Sequence, residues 1–414
     1  MNIKKIFNKS KYKKNFFPTE KKLGIRLHEP TYDHREIDSV IKTLLSSNLT
    51  FGKKTKYFEN KFEKILKTKN ALYVNSGSSA NLLALSTLTN PYLKNHLKPG
   101  DEVIVPALSW STSVWPIIQN NLTPVFVDIE KETMNIDPKN IEKAISKKTK
   151  AILIIHTYGN ACDMQEILRI KKKYNLLLIE DTCEALGTKY KNKFCGTYGD
   201  IGTYSFYFSH HITTGEGGMM VTNNKEINNI ANTLRAHGWI RNLPKKERVK
   251  YEKKYKNIDK KFLFINLGYN LRGSEIGASI GIEQLKKFKN IISKRQKVAK
   301  KFINFFKTNK YFSLQTETKN SNHSWFGLPI YLKKKLDINK IRNFLDSKNI
   351  ETRPIICGNI TSQPALEKFK YKIKGSLKNS NFIMKNAFAI GCHQNISDKN
   401  INYAKKIFFK VLSE

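Results

Sequence analysis

The chain reads as an α/β protein: a large, mostly parallel sheet covered by helices on both faces, followed by a smaller C-terminal α+β domain. Three observations lead there. Short apolar runs alternate with stretches of helical periodicity through the first two thirds of the sequence, the pattern of a parallel sheet with crossover helices. At 414 residues and 40% hydrophobic content the chain can bury two substantial cores. No internal repeat or low-complexity linker interrupts it.

In order along the chain, residues 1–22 form a basic N-terminal arm without the apolar core of a signal peptide. Helical patterns near Glu36 to Ser46 and Lys56 to Lys67 precede a short apolar strand, Ala71 to Val74. Further strands are expected at Glu102 to Val105, Pro124 to Val127, Ala151 to Ile155 and Leu176 to Ile179. Helical periodicity at Ile141 to Ser146 and Gln165 to Lys173 separates them. A long helical pattern from Gly273 to Lys307 carries the chain into the smaller domain, where Trp325 to Leu332 reads as a strand and Ile338 to Lys348 as a helix. The expected division is a large domain over 23–285 and a smaller one over 286–414.

The formal charge is 74 − 34 = +40. Lysine dominates the excess and is spread through every segment, and no helix-turn-helix, zinc or RNA-binding signature accompanies it, so no specific nucleic-acid partner is expected. The longest apolar runs are far too short to span a bilayer, and the expected location is the cytoplasm. Cys162, Cys183, Cys195, Cys357 and Cys392 are scattered without metal-ligand spacing, so free thiols and no metal site are expected.

Two segments suggest chemistry. Asn75 to Ala80, NSGSSA, joins a strand to a helix beginning near Asn81. Small polar residues there serve either as a helix cap or as a phosphate cradle at the positive end of the helix dipole. Asp181 follows the apolar run LLLIE and so stands at a strand's carboxyl end, where open α/β sheets place ligands; a turn or cap role is equally open from the residues alone.

The run Tyr204 to Gly218, YSFYFSHHITTGEGG, is the most specific. It resembles the frame SFxPxKNxTTGEGG of the DegT/DnrJ/StrS sugar aminotransferases, a branch of the fold-type I pyridoxal-phosphate enzymes with the aspartate-aminotransferase fold. Ser205, Phe206 and Thr213 to Gly218 match that frame, and His210 falls on the lysine that tethers the cofactor. The double histidine followed by Ile-Thr resembles the branch's sugar-nucleotide 3-dehydratases, as does ETRPIICGNITSQPAL, Glu351 to Leu366.

The resemblance implies pyridoxal or pyridoxamine 5'-phosphate held noncovalently. Gly77, Ser78, Ser79 and Ser205 correspond to its phosphate ligands, Trp110 to the stacking aromatic, Asp181 to the partner of the ring nitrogen and Glu184 to the neighbour of the ring hydroxyl. Asn270 matches a segment supplied to the neighbouring subunit, which implies a homodimer with shared active sites. Arg353, Asn359 and His211 are candidate substrate contacts. His210 becomes the acid–base group that removes the C3 hydroxyl of a nucleotide-linked 4-keto-6-deoxy sugar, giving a 4-keto-3,6-dideoxy sugar for surface polysaccharide. L-Glutamate is the expected amino donor. Iron–sulfur-dependent relatives carry a cysteine-rich insertion between the segments matching Arg235 and Gly268; here that interval has no cysteine, and no cluster is expected. The alternatives are a 4-keto-sugar-nucleotide aminotransferase and an inactive sugar-nucleotide-binding relative. Departures from the resemblance are Phe208 in place of a proline and the run Ala389 to Gln394.

Overall fold

The computed structural model describes residues 23–411, together with Lys4; the rest of the expected basic arm lies outside the described residues. Helices α1 (His34–Leu45) and α2 (Lys53–Leu66) lead into β1 (Asn70–Val74) and α3 (Gly77–Leu88). Then follow β2 (Glu102–Pro106), α4 (Ser111–Gln119), β3 (Thr123–Val127), α5 (Pro138–Ala144), β4 (Thr149–Ile155), α6 (Met164–Tyr174) and β5 (Leu177–Asp181). The small strands β6 (Lys189–Tyr190) and β7 (Lys193–Phe194) precede β8 (Ile201–Ser205), β9 (Gly218–Thr222), α7 (Lys225–Leu234) and α8 (Lys245–Lys254). A helix of 32 residues, α9 (Glu275–Phe306), opens the C-terminal part. It is followed by β10 (Phe312–Leu314), β11 (Ser321–Asn322), β12 (Gly327–Leu332), α10 (Ile338–Ser347), β13 (Thr352–Pro354), β14 (Lys372–Ile373), α11 (Lys378–Asn386), β15 (Ala387–Gly391) and α12 (Asp398–Lys410).

The large sheet has eight strands in the order β1-β9-β8-β5-β4-β2-β3-β14. All neighbours run parallel except β9, which is antiparallel to both β1 and β8. Its central strands are apolar on both faces because helices cover both. Alternation along the strands sends Val103, Val105, Leu153 and Ile179 into one core, around α3, and Ile104, Ile152, Ile154 and Leu178 into another, around α5 and α6.

A four-stranded antiparallel sheet, β10-β12-β15-β13, packs with α9, α10 and α12 around Phe302, Phe306, Phe312, Leu328, Phe388 and Phe408. Ile25, near the start of the described chain, is fully buried in this core and bridges Ile350. In the other direction β14 leaves the C-terminal part and pairs with β3, on the edge of the large sheet. The two units are therefore laced together at three places: Ile25, the long helix and β14. Among the described residues no helix is long and apolar enough to cross a membrane.

Candidate functional site

The carboxyl ends of β1, β2, β4, β5 and β8 converge on one edge of the large sheet, and a cavity of about 360 Å³ opens there, within the usual range of small-molecule sites. Its wall begins after β1. Ser76 caps α3, its hydroxyl accepting from the amide of Ser79 at 3.0 Å, so the helix starts at Gly77 rather than near Asn81 as the sequence suggested. Gly77 and Ser78 thereby occupy the first turn, where amides lack intrahelical acceptors and the dipole is positive. A Cβ on Gly77 would lie 2.6 Å from Cβ of Ser205; glycine lets the end of β8 approach the helix. Gly218 is required in the same way, since a Cβ there would meet the Ser76 carbonyl oxygen at 2.3 Å. Ser79 is engaged with Ser76 and stands off the cavity wall.

Asp181, 5% exposed, closes β5 and lines the cavity. Its Oδ2 accepts from Asn81 Nδ2 at 2.8 Å and from Ser113 Oγ at 2.7 Å, and its Oδ1 from the Cys183 amide at 3.1 Å. Thr203 Oγ1 donates to Asn81 Oδ1 at 2.6 Å, which fixes the asparagine with its amide nitrogen toward the carboxylate. Neither Asn81 nor Ser113 was read from the sequence. The sequence signal for Asn81 was slight: it carries the one amide side chain in a helix otherwise made of small, hydroxyl-bearing and apolar residues. Glu180, on the opposite face of β5, accepts from the amides of Gly196, Tyr198 and Gly199 and from His156 Nε2 at 3.1 Å. His156 Nδ1 accepts from Cys162, so Nε2 carries the proton.

His210 opens on the cavity from the turn after β8, with its Nδ1 buried and without a hydrogen-bond partner. Burial, then the positive charges of Arg295 and Arg353, push its imidazole down to about 3. Trp110 at the start of α4 lines the cavity with half its surface exposed, an indole face free to be covered. Glu184 lines it too, with one carboxylate oxygen accepting from the Tyr158 amide at 2.9 Å. Desolvation raises its carboxyl to about 7 against the pull of Arg353. Arg353 stands between this cavity and a smaller one of about 220 Å³ that shares Tyr207, Ser209 and Phe326 with it.

Eight of the sequence-derived residues thus share the cavity: Gly77, Ser78, Trp110, Asp181, Glu184, Ser205, His210 and Arg353. Three besides Ser79 do not reach it. His211 is fully buried behind His210, its Nε2 hydrogen-bonded to the Ser324 carbonyl at 3.3 Å. Asn359 spends its side chain on Asn381 and on the amide and hydroxyl of Thr361. Asn270 is exposed and takes a hydrogen bond from Arg272 Nε at 3.1 Å. Phe208, which stands where the resemblance has proline, packs edge-on against His28 at 5.1 Å. An aromatic surface, a buried carboxylate at the end of β5 and an open helix N-terminus beside Ser205 fit a flat pyridine ring bearing a phosphate. Lys, the tether of such a ring, does not line the cavity among the described residues.

The sequence model of the DegT/DnrJ/EryC1/StrS aminotransferase family matches residues 30–408. The chain is 40% identical over 384 residues to GDP-4-keto-6-deoxy-D-mannose 3-dehydratase of Escherichia coli O55:H7, covering 92% of this chain and 98% of the relative. It superimposes with a TM-score of 0.88 on the E. coli enzyme of that name with bound hydrated PLP, at 38% identity over 93% of this chain and 99% of the other. A second solved 3-dehydratase, with a trapped PLP–glutamate geminal diamine, gives the same score at 39% identity, covering 93% of this chain and all of the other.

Proposed function

The chain belongs to the DegT/DnrJ/EryC1/StrS aminotransferase family, and we infer that it is a pyridoxal-phosphate-dependent 3-dehydratase of a nucleotide-linked 4-keto-6-deoxy sugar. The observation that carries this reading is His210. A histidine occupies the tether position in the cavity, where an aminotransferase needs the amine of lysine. The relatives described above act on a GDP-linked sugar, and GDP is the nucleotide we assign.

Bound as pyridoxamine phosphate, the cofactor supplies the amine that joins the sugar's 4-keto carbon and the ring that accepts the electrons released by proton loss. The open amides of Gly77 and Ser78, with the Ser205 hydroxyl, hold the phosphate. Trp110 covers one ring face and Asp181 faces the ring nitrogen, its carboxylate kept in place by Asn81 and Ser113. His210 takes the proton as a neutral imidazole, the form its buried, positively flanked surroundings favour. The imidazolium so formed is a strong acid in the same surroundings and returns its proton to the departing C3 hydroxyl. Glu184 stands by the ring hydroxyl, and Arg353, charged at the junction of the two cavities, meets oxygens of the sugar nucleotide.

Glutamate regenerates the amine form, a reading supported by the glutamate adduct of the second relative. Asn270, exposed in a stretch of chain that also exposes the apolar Phe262, Phe264 and Leu267, completes the site of a second copy in a homodimer. Purified protein supplied with glutamate, cofactor and GDP-4-keto-6-deoxymannose is expected to release ammonia and a deoxy ketone over many turnovers, forming 2-oxoglutarate, with no reductase present. A stable amino sugar as the only product, or dependence on an electron donor, would overturn the assignment.

A further inference from the structure

The Cys183 backbone bonds to the His210 ring, but the contact that usually fixes the second ring nitrogen of a catalytic histidine is missing. A hydrogen bond from the second ring nitrogen to a carboxylate or carbonyl commonly fixes both tautomer and tilt, yet Nδ1 of His210 is buried with no partner. Its ring instead lies against two aromatic rings. Phe326 is the closer, with centroids 4.9 Å apart and planes only 31° from parallel. Tyr207 is farther, at 6.3 Å and nearly edge-on.

Phe326 belongs to a corner, His323 to Phe326, that is held unusually firmly. Trp325 adopts the left-handed conformation at φ +55°, a strained one for a residue with a side chain. Such a residue persists only where its surroundings determine it. Here His323 stacks flat on Trp325 with centroids 3.7 Å apart. The Trp325 amide donates to His323 Nδ1 at 2.9 Å, and His323 Nε2, which therefore carries the proton, meets Gln315 Oε1 at 3.2 Å. The amide of Phe326 itself donates to the Tyr158 carbonyl at 2.9 Å.

The last restraint comes from α9. Arg295 is 2% exposed and forms no ion pair among the described residues. Its Nη1 instead donates to the carbonyls of Trp325 at 3.1 Å, Phe326 at 3.2 Å and Cys392 at 2.8 Å. A buried charge satisfied only by carbonyl dipoles is a demanding arrangement, and two of its three acceptors belong to the corner.

We propose that Phe326 is a positioning residue for His210, its ring fixing the tilt at which the imidazole faces the cavity, and that Arg295 holds the corner that presents this ring. The proposal rests on the reading of His210 as the acid–base group. A change of some 10–20° in the direction of a proton carrier is enough to misalign transfer, so the packing of one ring face becomes a catalytic requirement.

The test uses Phe326→Leu, which keeps an apolar side chain but removes the ring face, beside Phe326→Tyr, which keeps the face, and Arg295→Lys as a milder loosening of the corner. In the holoenzyme, Phe326→Leu is expected to lower kcat by about 10- to 100-fold, with KM and the cofactor dissociation constant within about two-fold of the parent. Phe326→Tyr should retain most of kcat, and Arg295→Lys should fall between. In cofactor-free protein labelled with carbon-13 at histidine, ring relaxation should report faster motion at His210 in Phe326→Leu and Arg295→Lys while His156, a buried ring held outside the corner by Glu180 and the Cys162 amide, stays rigid. Unchanged kcat and unchanged His210 motion would overturn the proposal. So would a raised KM with kcat intact, which makes Phe326 a substrate wall, or equal loosening of His210 and His156, which makes it ordinary packing. If Phe326→Leu does not fold, Arg295→Lys gives the same readouts. Should the parent fail to process the sugar nucleotide at all, the functional reading falls, and the relaxation data still decide this one.

Discussion

His210 offers no amine to the cofactor, so reduction of the holoenzyme with borohydride and peptide mapping should find no cofactor-modified lysine in the cavity; a stoichiometric adduct would contradict the noncovalent site. His210→Asn keeps a polar group of similar reach and abolishes proton transfer. Turnover is expected to fall about 10²-fold or more, with cofactor binding retained. Glu184 gives a pH prediction. Desolvation raises its carboxyl from 4.5 to about 7 in the folded chain, so between those values the folded protein binds more protons than the unfolded one. The protonated group's stabilisation is complete below 4.5 and is lost as pH rises through about 7, at up to about 1.4 kcal/mol per pH unit. Urea unfolding of cofactor-free protein across that interval should show an extra fall in stability that Glu184→Gln lacks.

At the scale of elements, the loop after β1 owes its position to a buried charge pair. Arg235, just after α7, meets Glu59 of α2 at 2.5 Å, and its Nη1 also donates to the Tyr73 carbonyl at 2.9 Å. Glu59 in turn accepts from the Tyr73 amide at 2.9 Å. Two helices thus grip β1 one residue before its end. Arg235→Met strands the carboxylate of Glu59 and should destabilise the protein by about 3–5 kcal/mol, seen as a lower denaturant midpoint, with cofactor affinity falling as the loop after β1 loosens. Central strands such as β2 and β4 were legible because burial on both faces leaves continuous apolar runs. The strands β8 and β9 were not assigned: one reads IGTYS and the other GMMVT, whose glycines are dictated by neighbouring backbone rather than by strand propensity. The same limit applied to the site. The motif residues His210 and Ser205 stand in a recognisable frame, whereas Ser113, Phe326 and Arg295 acquire their places only when distant segments meet. Asn359 shows the converse, a motif residue that folding turns to local hydrogen bonds.

For the whole molecule, the exposed Asn270 segment predicts subunit complementation. His210→Asn and Asn270→Ala chains, each weak alone, should regain activity when mixed dimers form, because one site of each mixed dimer then has both native groups. Sedimentation of the parent as a monomer at working concentration would remove the basis for this. The charge of +40 belongs to this scale too, since it favours encounter with a diphosphate without specifying it. The pairing of Lys372 and Ile373 with Val125 and Phe126 bears on how the chain is made. Until β14 emerges from the ribosome, the outer rim of β3 presents unpaired amides and carbonyls to any other nascent chain, the situation that templates aggregation. A chain halted before residue 372 has every residue that lines the larger cavity in hand and an unsealed sheet. Synthesis of the segment that carries Lys372 and Ile373 is therefore the step at which a sticky intermediate becomes a safe one.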